Sequence, residues 1–461
     1  MRKEKDSMGE VLVPDNAYYG AQTQRASDNF PISTRRIPRT LIKSLAMIKK
    51  TAAVVNHKLN KLDSSAKDAI INACDEVIEG KHDNQFIVDI FQTGSGTSSN
   101  MNINEVLSNR ANEILGYNLG EKFPVHPNDH VNLGQSSNDT FPSAINISIA
   151  LDIKQNLLPA LDELLKSFKM KTREFSDIIK IGRTHLQDAT PITLGQEFSG
   201  YAQIIENSID KIQDSLKYIY YLPQGGTAVG TGINTHPDFG KMIAGELSKE
   251  SGINFHEAKN HFEAQSTQDA VVTVSSALRG LAVSLSKIAN DIRLLGSGPR
   301  AGIGELNIPA VQPGSSIMPG KVNPVICESL IQVCGQVIGN DQAVLQGAQG
   351  SYFELNVMMP MIASNILESI NILSTGSDTF NKKLLIGLRA NEEICNGYIE
   401  GSLAMCTSLV PAIGYDKAAE IAYKAYKQNK TVREITLEEN ILSKEEIDKL
   451  LDHKNMIKSK K

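Results

Sequence analysis

The chain has 461 residues, a length that allows about three domains. With 41% hydrophobic and 21% charged residues, its composition is that of an ordinary globular protein, which excludes a disordered or collagen-like chain. The formal net charge of −5 gives no basic field of the kind that holds a phosphate backbone, so we expect no nucleic-acid partner.

The N-terminal segment and the cysteines bear on where the protein works. No stretch approaches the ~20 consecutive apolar residues of a membrane span, and residues 1–10 are charged from the second position onward. The five cysteines are scattered and include no Cys-x-x-Cys pair, which argues against a disulfide framework and a zinc knuckle. We therefore expect no membrane association, no bound metal and a reducing, cytoplasmic location. An organellar form whose transit peptide has been removed is the alternative.

Helical patterns dominate the chain. Two shorter amphipathic helices are predicted over 39–59 and 64–79. Apolar residues recur at three- and four-residue spacing over longer segments, which are 141–170, 191–221, 264–295, 322–346 and 354–385. Small helices are predicted after them, at 414–428, 431–439 and 443–452. Aromatic residues make up only 5% of the chain, so aliphatic residues suited to helix packing must fill the core.

These patterns predict an all-α fold around a central bundle of five long helices. We place domain boundaries near residues 135 and 390, which gives domains at 1–135, 136–390 and 391–461. Two prolines fall within the first long segment. Pro142 lies in its predicted first turn, where a missing N–H is tolerated, but Pro159 falls inside the apolar pattern and predicts a bend there.

Polar runs that contain glycine interrupt the helices at 92–104, 125–139, 182–195 and 313–324. Loops of this kind between rigid helices are where sites are usually built. The last run combines two Gly, three Pro and two Ser with Lys321 and Asn323. Successive N–H groups in such a loop can form a nest for an anion, to which the Lys321 ammonium and the Asn323 amide would add. A simple Pro/Gly loop is the alternative.

The four runs together resemble shared segments of the fumarase/aspartase superfamily. Residues 314–324 resemble its signature loop, and the likeness extends from Glu4-Lys5-Asp6-Ser7-Met8-Gly9 to Gly414-Tyr415-Asp416-Lys417, nearly the whole chain. Within the superfamily the chain most resembles the class II fumarases, the metal-free type. The resemblance implies a three-domain fold, no cofactor, and a homotetramer in which each active site draws residues from three subunits.

One residue type distinguishes two activities of this superfamily. The run Arg183-Thr184-His185-Leu186-Gln187-Asp188 resembles the corresponding run of the aspartases, except that this chain has a histidine where they have a glutamine. Histidine can move a proton near neutral pH, as the addition or removal of water requires, whereas glutamine cannot. By resemblance we expect reversible, metal-independent interconversion of fumarate and water with (S)-malate through an aci-carboxylate carbanion. The alternatives are an aspartate ammonia-lyase and a non-catalytic helical assembly of the same fold.

The resemblance also implies which residues act on fumarate and malate. Ser315 is expected to remove the proton at carbon, and His185, oriented by Glu328, to handle the water. Lys321 and Asn323 are expected to stabilise the carboxylate that takes the charge. The substrate-binding residues implied in this way are Ser95, Gly96, Thr97, Ser136, Ser137, Asn138, Thr184, Ser316, Lys321, Val322 and Asn323.

A second dicarboxylate site is implied at His126-Pro127-Asn128-Asp129, beside a helix start. Some relatives carry basic residues just ahead of this segment and a lysine after it, whereas this chain has Phe123 and Leu133 at the comparable positions. Only Lys122 remains, so we expect weaker anion binding here. A plain helix-capping turn is the alternative.

Overall fold

The computed structural model describes residues 1–458, which are mostly α-helical. In chain order the α-helices are α1 (Ala21–Asn29), α2 (Arg39–Lys58), α3 (Ser64–Ile78), α4 (Thr97–Ile114), α5 (Ser137–Asp152), α6 (Leu158–Glu174), α7 (Leu194–Ser215), α8 (Phe239–Ser251), α9 (His261–Ser266), α10 (Asp269–Leu295), α11 (Val325–Ala348), α12 (Met359–Phe380), α13 (Glu392–Gly401), α14 (Val410–Ile413), α15 (Tyr415–Gln428), α16 (Val432–Glu438) and α17 (Lys444–Leu450). The predicted all-α class is confirmed.

Short strands lie between the helices and pair as two-stranded ladders. They are β1 (Arg2–Asp6), β2 (Gly9–Val13), β3 (Ile179–Thr184), β4 (Gln187–Thr193), β5 (Tyr221–Leu222), β6 (His256–Glu257), β7 (Leu306–Asn307), β8 (Ser351–Tyr352), β9 (Leu355–Asn356) and β10 (Arg389–Ala390). Short 3-10 or π-helical segments lie at Asp83–Gln85, Pro127–Val131, Ile153–Leu157, Asn381–Leu385, Leu403–Leu409 and His453–Asn455. The ladders were not predicted. Strands β5 to β10 have two residues each, too short to show an alternating pattern. Strand β1 (RKEKD) has no apolar residue, and β3 and β4 meet in a segment that was interpreted as a polar loop.

The predicted long helices are all present. The first is continuous from Ser137 to Glu174, through α5, a π-helical turn and α6, and the others are α7, α10, α11 and α12. Four of them, α7, α10, α11 and α12, begin three to five residues later than predicted. Strand β4 extends to Thr193 before α7, and α11 begins only after Pro324, because a proline disfavours helical backbone at the residue before it, here Asn323.

A π-helical turn at Ile153–Leu157 lies just before Pro159, where the sequence predicts a bend. Pro159 lacks the N–H that would pair with the carbonyl four residues earlier, so the regular pattern of backbone hydrogen bonds in the helix is interrupted here. π turns are one of the recognised ways in which a helix accommodates such a change. Pro142 lies inside α5, one turn further from its start than predicted, because the helix begins at Ser137.

The chain forms two compact units, each assembled from separate stretches. Unit 1 consists of Met1–Pro159, Asp210–Ala282 and Val333–Ser374. Unit 2 consists of Ala160–Ile209, Val283–Gln332 and the described residues from Thr375 onward. The division into domains at 1–135, 136–390 and 391–461 stays a prediction.

In unit 1, helix α2 packs against α3, α5 and α8. Its side chains Leu41, Leu45 and Ile48 are fully buried, as expected for a helix that is apolar at three- and four-residue spacing. A buried carboxylate fixes α1 against α4. Glu105 accepts hydrogen bonds from the N–H groups of Gly20 (2.8 Å), Gln22 (2.9 Å) and Thr23 (3.1 Å) at the start of α1, an arrangement that the helix dipole favours. Burial raises the pKa of Glu105.

In unit 2, the β3–β4 hairpin packs against α13 and the 3-10 turn Leu403–Leu409. The hairpin and the small C-terminal helices together form a hydrophobic cluster. Its buried members are Ile179, Ile181, Ile399, Met405, Leu409, Ile421, Ala425, Val432, Ile435, Ile447 and Leu451. This packing gives the hairpin a rigid support.

Helix α10 (Asp269–Leu295) is long and apolar enough to cross a membrane by length and composition alone. The core helix of a soluble protein passes the same test. Its apolar stripe is packed inside the protein, with exposed fractions of 1% or less at Val271, Val274, Leu278, Leu281, Leu285, Ile288 and Ile292. The packing therefore accounts for the composition of this helix.

Candidate active site

The first group of predicted site residues lies in unit 1, at the start of α4. Gly96 precedes this helix with φ +75°, a backbone conformation that a side chain disfavours. A Cβ at Gly96 would lie 2.3 Å from the ring of Phe141, and one at Gly94 would lie 1.7 Å from the carbonyl oxygen of Val357. Only glycine fits at these two positions, so they set the course of the loop that carries Ser95.

The start of α5 carries the second group. Ser136 is the N-cap residue: its hydroxyl accepts the N–H of Asn138 at 3.2 Å, and its own N–H donates to Asp139 Oδ1 at 2.9 Å. Asn138 Nδ2 donates to the carbonyl of Ala228 at 2.8 Å. These bonds fix the backbone on which Ser136, Ser137 and Asn138 are presented.

A chain of hydroxyl groups joins the two helix starts. Ser95 Oγ lies 2.8 Å from Thr97 Oγ1, which lies 2.8 Å from Ser137 Oγ. Thr97 and Ser137 are the first residues of α4 and α5, so two helix N-termini meet at this chain. Helix N-termini attract anions through free N–H groups and the helix dipole. The arrangement suits a carboxylate.

Residues that the sequence did not mark lie buried beneath this group. Lys49 of α2 is fully buried, and its ammonium donates to Asn132 Oδ1 at 2.8 Å and to Gln135 Oε1 at 2.9 Å. Asp139 Oδ2 accepts the N–H groups of Gly225 at 3.0 Å and Thr227 at 2.9 Å. Burial lowers the pKa of Lys49 to about 7 and raises the pKa of Asp139 to about 6. A lysine on the apolar stripe of α2 was the signal that could have revealed this cluster.

The third group lies in unit 2, in the loop 313–324. The loop closes on itself: the Gly314 N–H donates to the Lys321 carbonyl at 2.8 Å, and Asn323 Nδ2 donates to the Gly314 carbonyl at 2.5 Å. A Cβ at Gly314 would lie 2.5 Å from the Lys321 carbonyl oxygen, so only glycine allows this closure. A pocket of about 470 Å³ opens beside it, lined by Gln312, Ser315, Met318, Lys321 and Val322 among others.

Within this loop Ser315 is held by backbone donors. Its Oγ accepts the N–H of Met318 at 2.9 Å and the N–H of Ile317 at 3.2 Å. These donors would stabilise negative charge on this oxygen. The Lys321 side chain is exposed and has no ion-pair partner among residues 1–458, so its charge is available to an incoming anion. Ser316 and Val322 are exposed on the same loop.

The fourth group lies on the β3–β4 hairpin of unit 2. Thr184 pairs with Gln187, which leaves His185 and Leu186 as a two-residue turn. Both have positive φ, +57° and +61°, as a type I′ hairpin turn requires, although neither is glycine. Backbone strain of this kind clusters at functional sites. Thr184 and His185 are therefore displayed at the exposed tip.

No hydrogen bond or ion pair joins His185 to Glu328 within the described part of one chain. Glu328 lies half-buried in the first turn of α11. Their predicted partnership is not made inside a single chain and stays a prediction.

A buried ion network supports the hairpin. Glu305 is fully buried and accepts two hydrogen bonds from the Arg183 guanidinium, at 2.9 and 3.0 Å, while the Lys180 ammonium lies 3.1 Å away. This network was not predicted from the sequence. Its signal was Lys180, a charged residue between the apolar residues Ile179 and Ile181.

The predicted second site forms a capping turn. His126 Nδ1 accepts the N–H groups of Asn128 and Asp129, each at 3.2 Å, at the start of the π-helical turn Pro127–Val131. An acceptor Nδ1 must be unprotonated, and burial lowers the pKa of His126 accordingly. The Lys122 ammonium donates to the Lys5 carbonyl. The capping role is thus observed, and dicarboxylate binding here stays a prediction.

Metal ligands are not clustered in the described chain. Across residues 1–458, no group of three or more His, Cys, Asp or Glu side chains could hold a metal ion.

Comparison with known proteins places the chain in a family. The family model described as "Lyase" matches residues 9–339, and the one described as "Fumarase C C-terminus" matches residues 405–458. Fumarate hydratase class II of Helicobacter pylori is 50% identical over 456 residues, which cover 99% of this chain and 98% of that protein. The mitochondrial fumarate hydratase of Dictyostelium discoideum is 51% identical over 463 residues, which cover 100% and 95%.

Solved structures agree with these matches. The crystal structure of class II fumarase from Schistosoma mansoni has a TM-score of 0.96 and 43% identity, covering 99% of this chain and 98% of that one. A structure described as fumarate lyase:delta crystallin from Brucella melitensis bound to cobalt has a TM-score of 0.95 and 45% identity, covering 99% and 100%. The chain therefore belongs to the class II fumarate hydratases, the hydro-lyases of the fumarase/aspartase family.

Proposed function

We propose that Ser315, held by its own loop, is the base with which this fumarate hydratase interconverts (S)-malate and fumarate. The observation that carries the proposal is the pair of N–H groups, from Ile317 and Met318, that donate to Ser315 Oγ. A serine hydroxyl is a poor base unless its alkoxide is stabilised. Two fixed donors and the nearby Lys321 cation supply that stabilisation without any metal.

In the malate-to-fumarate direction, the Ser315 alkoxide takes the proton from the carbon next to one carboxylate. The electron pair left on that carbon spreads into the carboxylate as an aci-carboxylate dianion. The Lys321 ammonium and the Asn323 amide stabilise this charge. The bond between the other carbon and its hydroxyl then breaks, the double bond forms, and the hydroxyl leaves as water with a proton from His185.

The unit 1 hydroxyl chain is proposed to bind the substrate. Ser95, Thr97 and Ser137 supply neutral donors at two helix starts. Neutral donors orient a dianion without holding the product too tightly. We propose that Gly96, Ser136 and Asn138 shape this site and that Thr184, Ser316 and Val322 also bind the substrate.

A homotetramer with shared sites completes the proposal. Since His185 has no carboxylate partner among residues 1–458 of its own chain, Glu328 of another subunit would orient its imidazole. Apolar side chains near the site segments are exposed on the single chain, among them Leu186 at 74% and Ile317 at 83%. Exposed patches of this kind mark surfaces that another chain covers.

The proposal also includes a cellular location and a second anion site. The scattered cysteines favour a reducing compartment, and we propose the cytoplasm; the mitochondrial description of the Dictyostelium relative makes the mitochondrial interior the alternative. Dicarboxylate binding at His126–Asp129 would use the N–H groups of the π-helical turn and Lys122. Because His126 already caps this turn, binding there should be weak.

The reaction is tested by ultraviolet absorbance of the fumarate double bond. Chelator-treated protein is given (S)-malate in one cuvette and aspartate in another. We expect fumarate from malate only. Fumarate from aspartate only would identify an ammonia-lyase and overturn the role of His185, and no signal from either would favour a non-catalytic assembly.

A further inference from the structure

We propose that Lys49 is a positioning residue, which holds the segment 132–138 in the conformation that binds the substrate dicarboxylate. This inference rests on the proposed role of Ser136, Ser137 and Asn138 in substrate binding. Lys49 itself is fully buried and contacts the segment through Asn132 and Gln135. It is assigned to the reaction only through the backbone that it holds.

The contacts of Lys49 define this role. Its ammonium donates to Asn132 Oδ1 at 2.8 Å and to Gln135 Oε1 at 2.9 Å, and Gln135 directly precedes the N-cap residue Ser136. Asn132 Oδ1 also accepts Asn100 Nδ2 at 3.2 Å. One ammonium therefore connects α2, α4 and the two amide side chains that lead into the substrate-binding segment.

A second buried group holds the other end of the segment. Asp139 accepts the Ser136 N–H through Oδ1 and the Gly225 and Thr227 N–H groups through Oδ2. The segment between Asn132 and Asp139 is thus fixed at both ends by buried charged side chains. Its middle, at Ser136 and Ser137, is left to face a ligand.

Lysine is a poor choice at this position if only stability matters. Its side chain is fully buried, and among residues 1–458 no carboxylate lies within ion-pair distance of the ammonium. Burying such a group costs free energy, and a well-packed apolar side chain of similar volume usually stabilises a protein at least as well. The charged or titratable groups that act on it are Asp139 of α5 and Cys74 of α3. The donors that lysine supplies therefore serve the geometry of the segment rather than the core.

The kinetic signature follows from where Lys49 acts. Losing it would leave Gln135 Oε1 without its donor and Asn132 Oδ1 with Asn100 alone, and would loosen the Ser136–Ser137 backbone. Binding of the ground state and of the transition state would weaken together, while the machinery of Ser315 and His185 would be untouched. KM should therefore rise with little change in kcat.

The experiment compares single variants of the full-length protein with (S)-malate as substrate. Lys49→Met removes the donors at nearly equal volume and should raise KM about tenfold or more, with kcat within about threefold. Gln135→Met should raise KM less, and the double variant should add little to Lys49→Met because both changes break the same hydrogen bond. Lys50→Met is the control: this neighbour forms only surface ion pairs with Asp75 and Glu250, so KM should stay unchanged.

Binding of succinate, an unreactive dicarboxylate, is measured calorimetrically in parallel. Its Kd should follow KM in every variant. An unchanged KM and succinate Kd in Lys49→Met, or in Gln135→Met if the former does not fold, would overturn the role of Lys49. A parent protein that makes no fumarate would instead refute the proposed function, and succinate binding would still decide the role of Lys49.

Discussion

Hydroxyl and amide groups outnumber charges at the candidate active site. The hydroxyl groups of Ser95, Thr97 and Ser137 form a chain with spacings of 2.8 Å. Lys321 is an exposed cation on the loop 313–324. The charged residues Lys49 and Glu305 are buried and bind side chains of the segments that carry the candidate site residues. The residues proposed to contact the substrate are thus different from the buried residues that hold their segments in place.

The structural support of the β3–β4 hairpin can be tested by a substitution at Glu305. Its carboxylate neutralises Arg183 and Lys180 in a buried setting, so Glu305→Gln would leave the Arg183 guanidinium without its carboxylate and Lys180 with Glu197 alone. Breaking a buried ion network in this way costs about 3 kcal/mol or more of the free energy of unfolding. Activity should fall as well, because the network supports the hairpin that carries His185. Urea unfolding at fixed protein concentration measures the loss.

A surface pair provides the control for this variant. Glu163 and Lys166 form an ion pair at 2.7 Å, but both side chains are more than half exposed. Glu163→Gln should change the free energy of unfolding by no more than about 0.5 kcal/mol. Equal effects of the two substitutions would show that the Glu305 network does not support the hairpin.

At the scale of elements, the long helices could be predicted from sequence and several finer features could not. Apolar spacing repeated over many turns made helices such as α10 and α12 unambiguous. The two-residue strands and the turn at His185–Leu186 depend on tertiary contacts, which leave no periodic signal. The π-helical turn before Pro159 was predicted only as a bend.

The start of α4 depends on one glycine. At Gly96, φ is +75° and a Cβ would lie 2.3 Å from the Phe141 ring, so Gly96→Ala should both strain the backbone and displace a core side chain. We expect a loss of about 2 kcal/mol or more in the free energy of unfolding. Gly245→Ala is the matched control, because this glycine lies inside α8 with nothing near its Cβ position, and should stabilise the protein by up to about 1 kcal/mol. A neutral Gly96→Ala would contradict this account of the loop.

At the scale of the whole molecule, the sequence placed the site residues on four segments but could not show which of them meet. Within one chain the structure brings Ser95 together with Thr97 and Ser137, and Ser315 together with the backbone of its own loop. It leaves His185 without Glu328. Contacts between subunits have no signature in the sequence of one chain, so the remaining assembly rests on the proposed tetramer.

Mixing two inactive variants tests whether subunits share sites. Ser137→Ala and Ser315→Ala should each be nearly inactive, since they remove different parts of one site. If the two serines come from different subunits, mixed tetramers formed by joint refolding should recover up to about a quarter of the parent activity. No recovery, with mixed tetramers demonstrated by differential tagging, would mean that both serines act within one subunit.

The most direct test of the account is the turnover of Ser315→Ala, with (S)-malate as substrate and fumarate followed by its absorbance. The loop presents this hydroxyl to two N–H donors as the base at carbon. We predict a fall in kcat of at least about a thousandfold with an unchanged oligomeric state. Full turnover in this variant would contradict the assignment of Ser315 as the base.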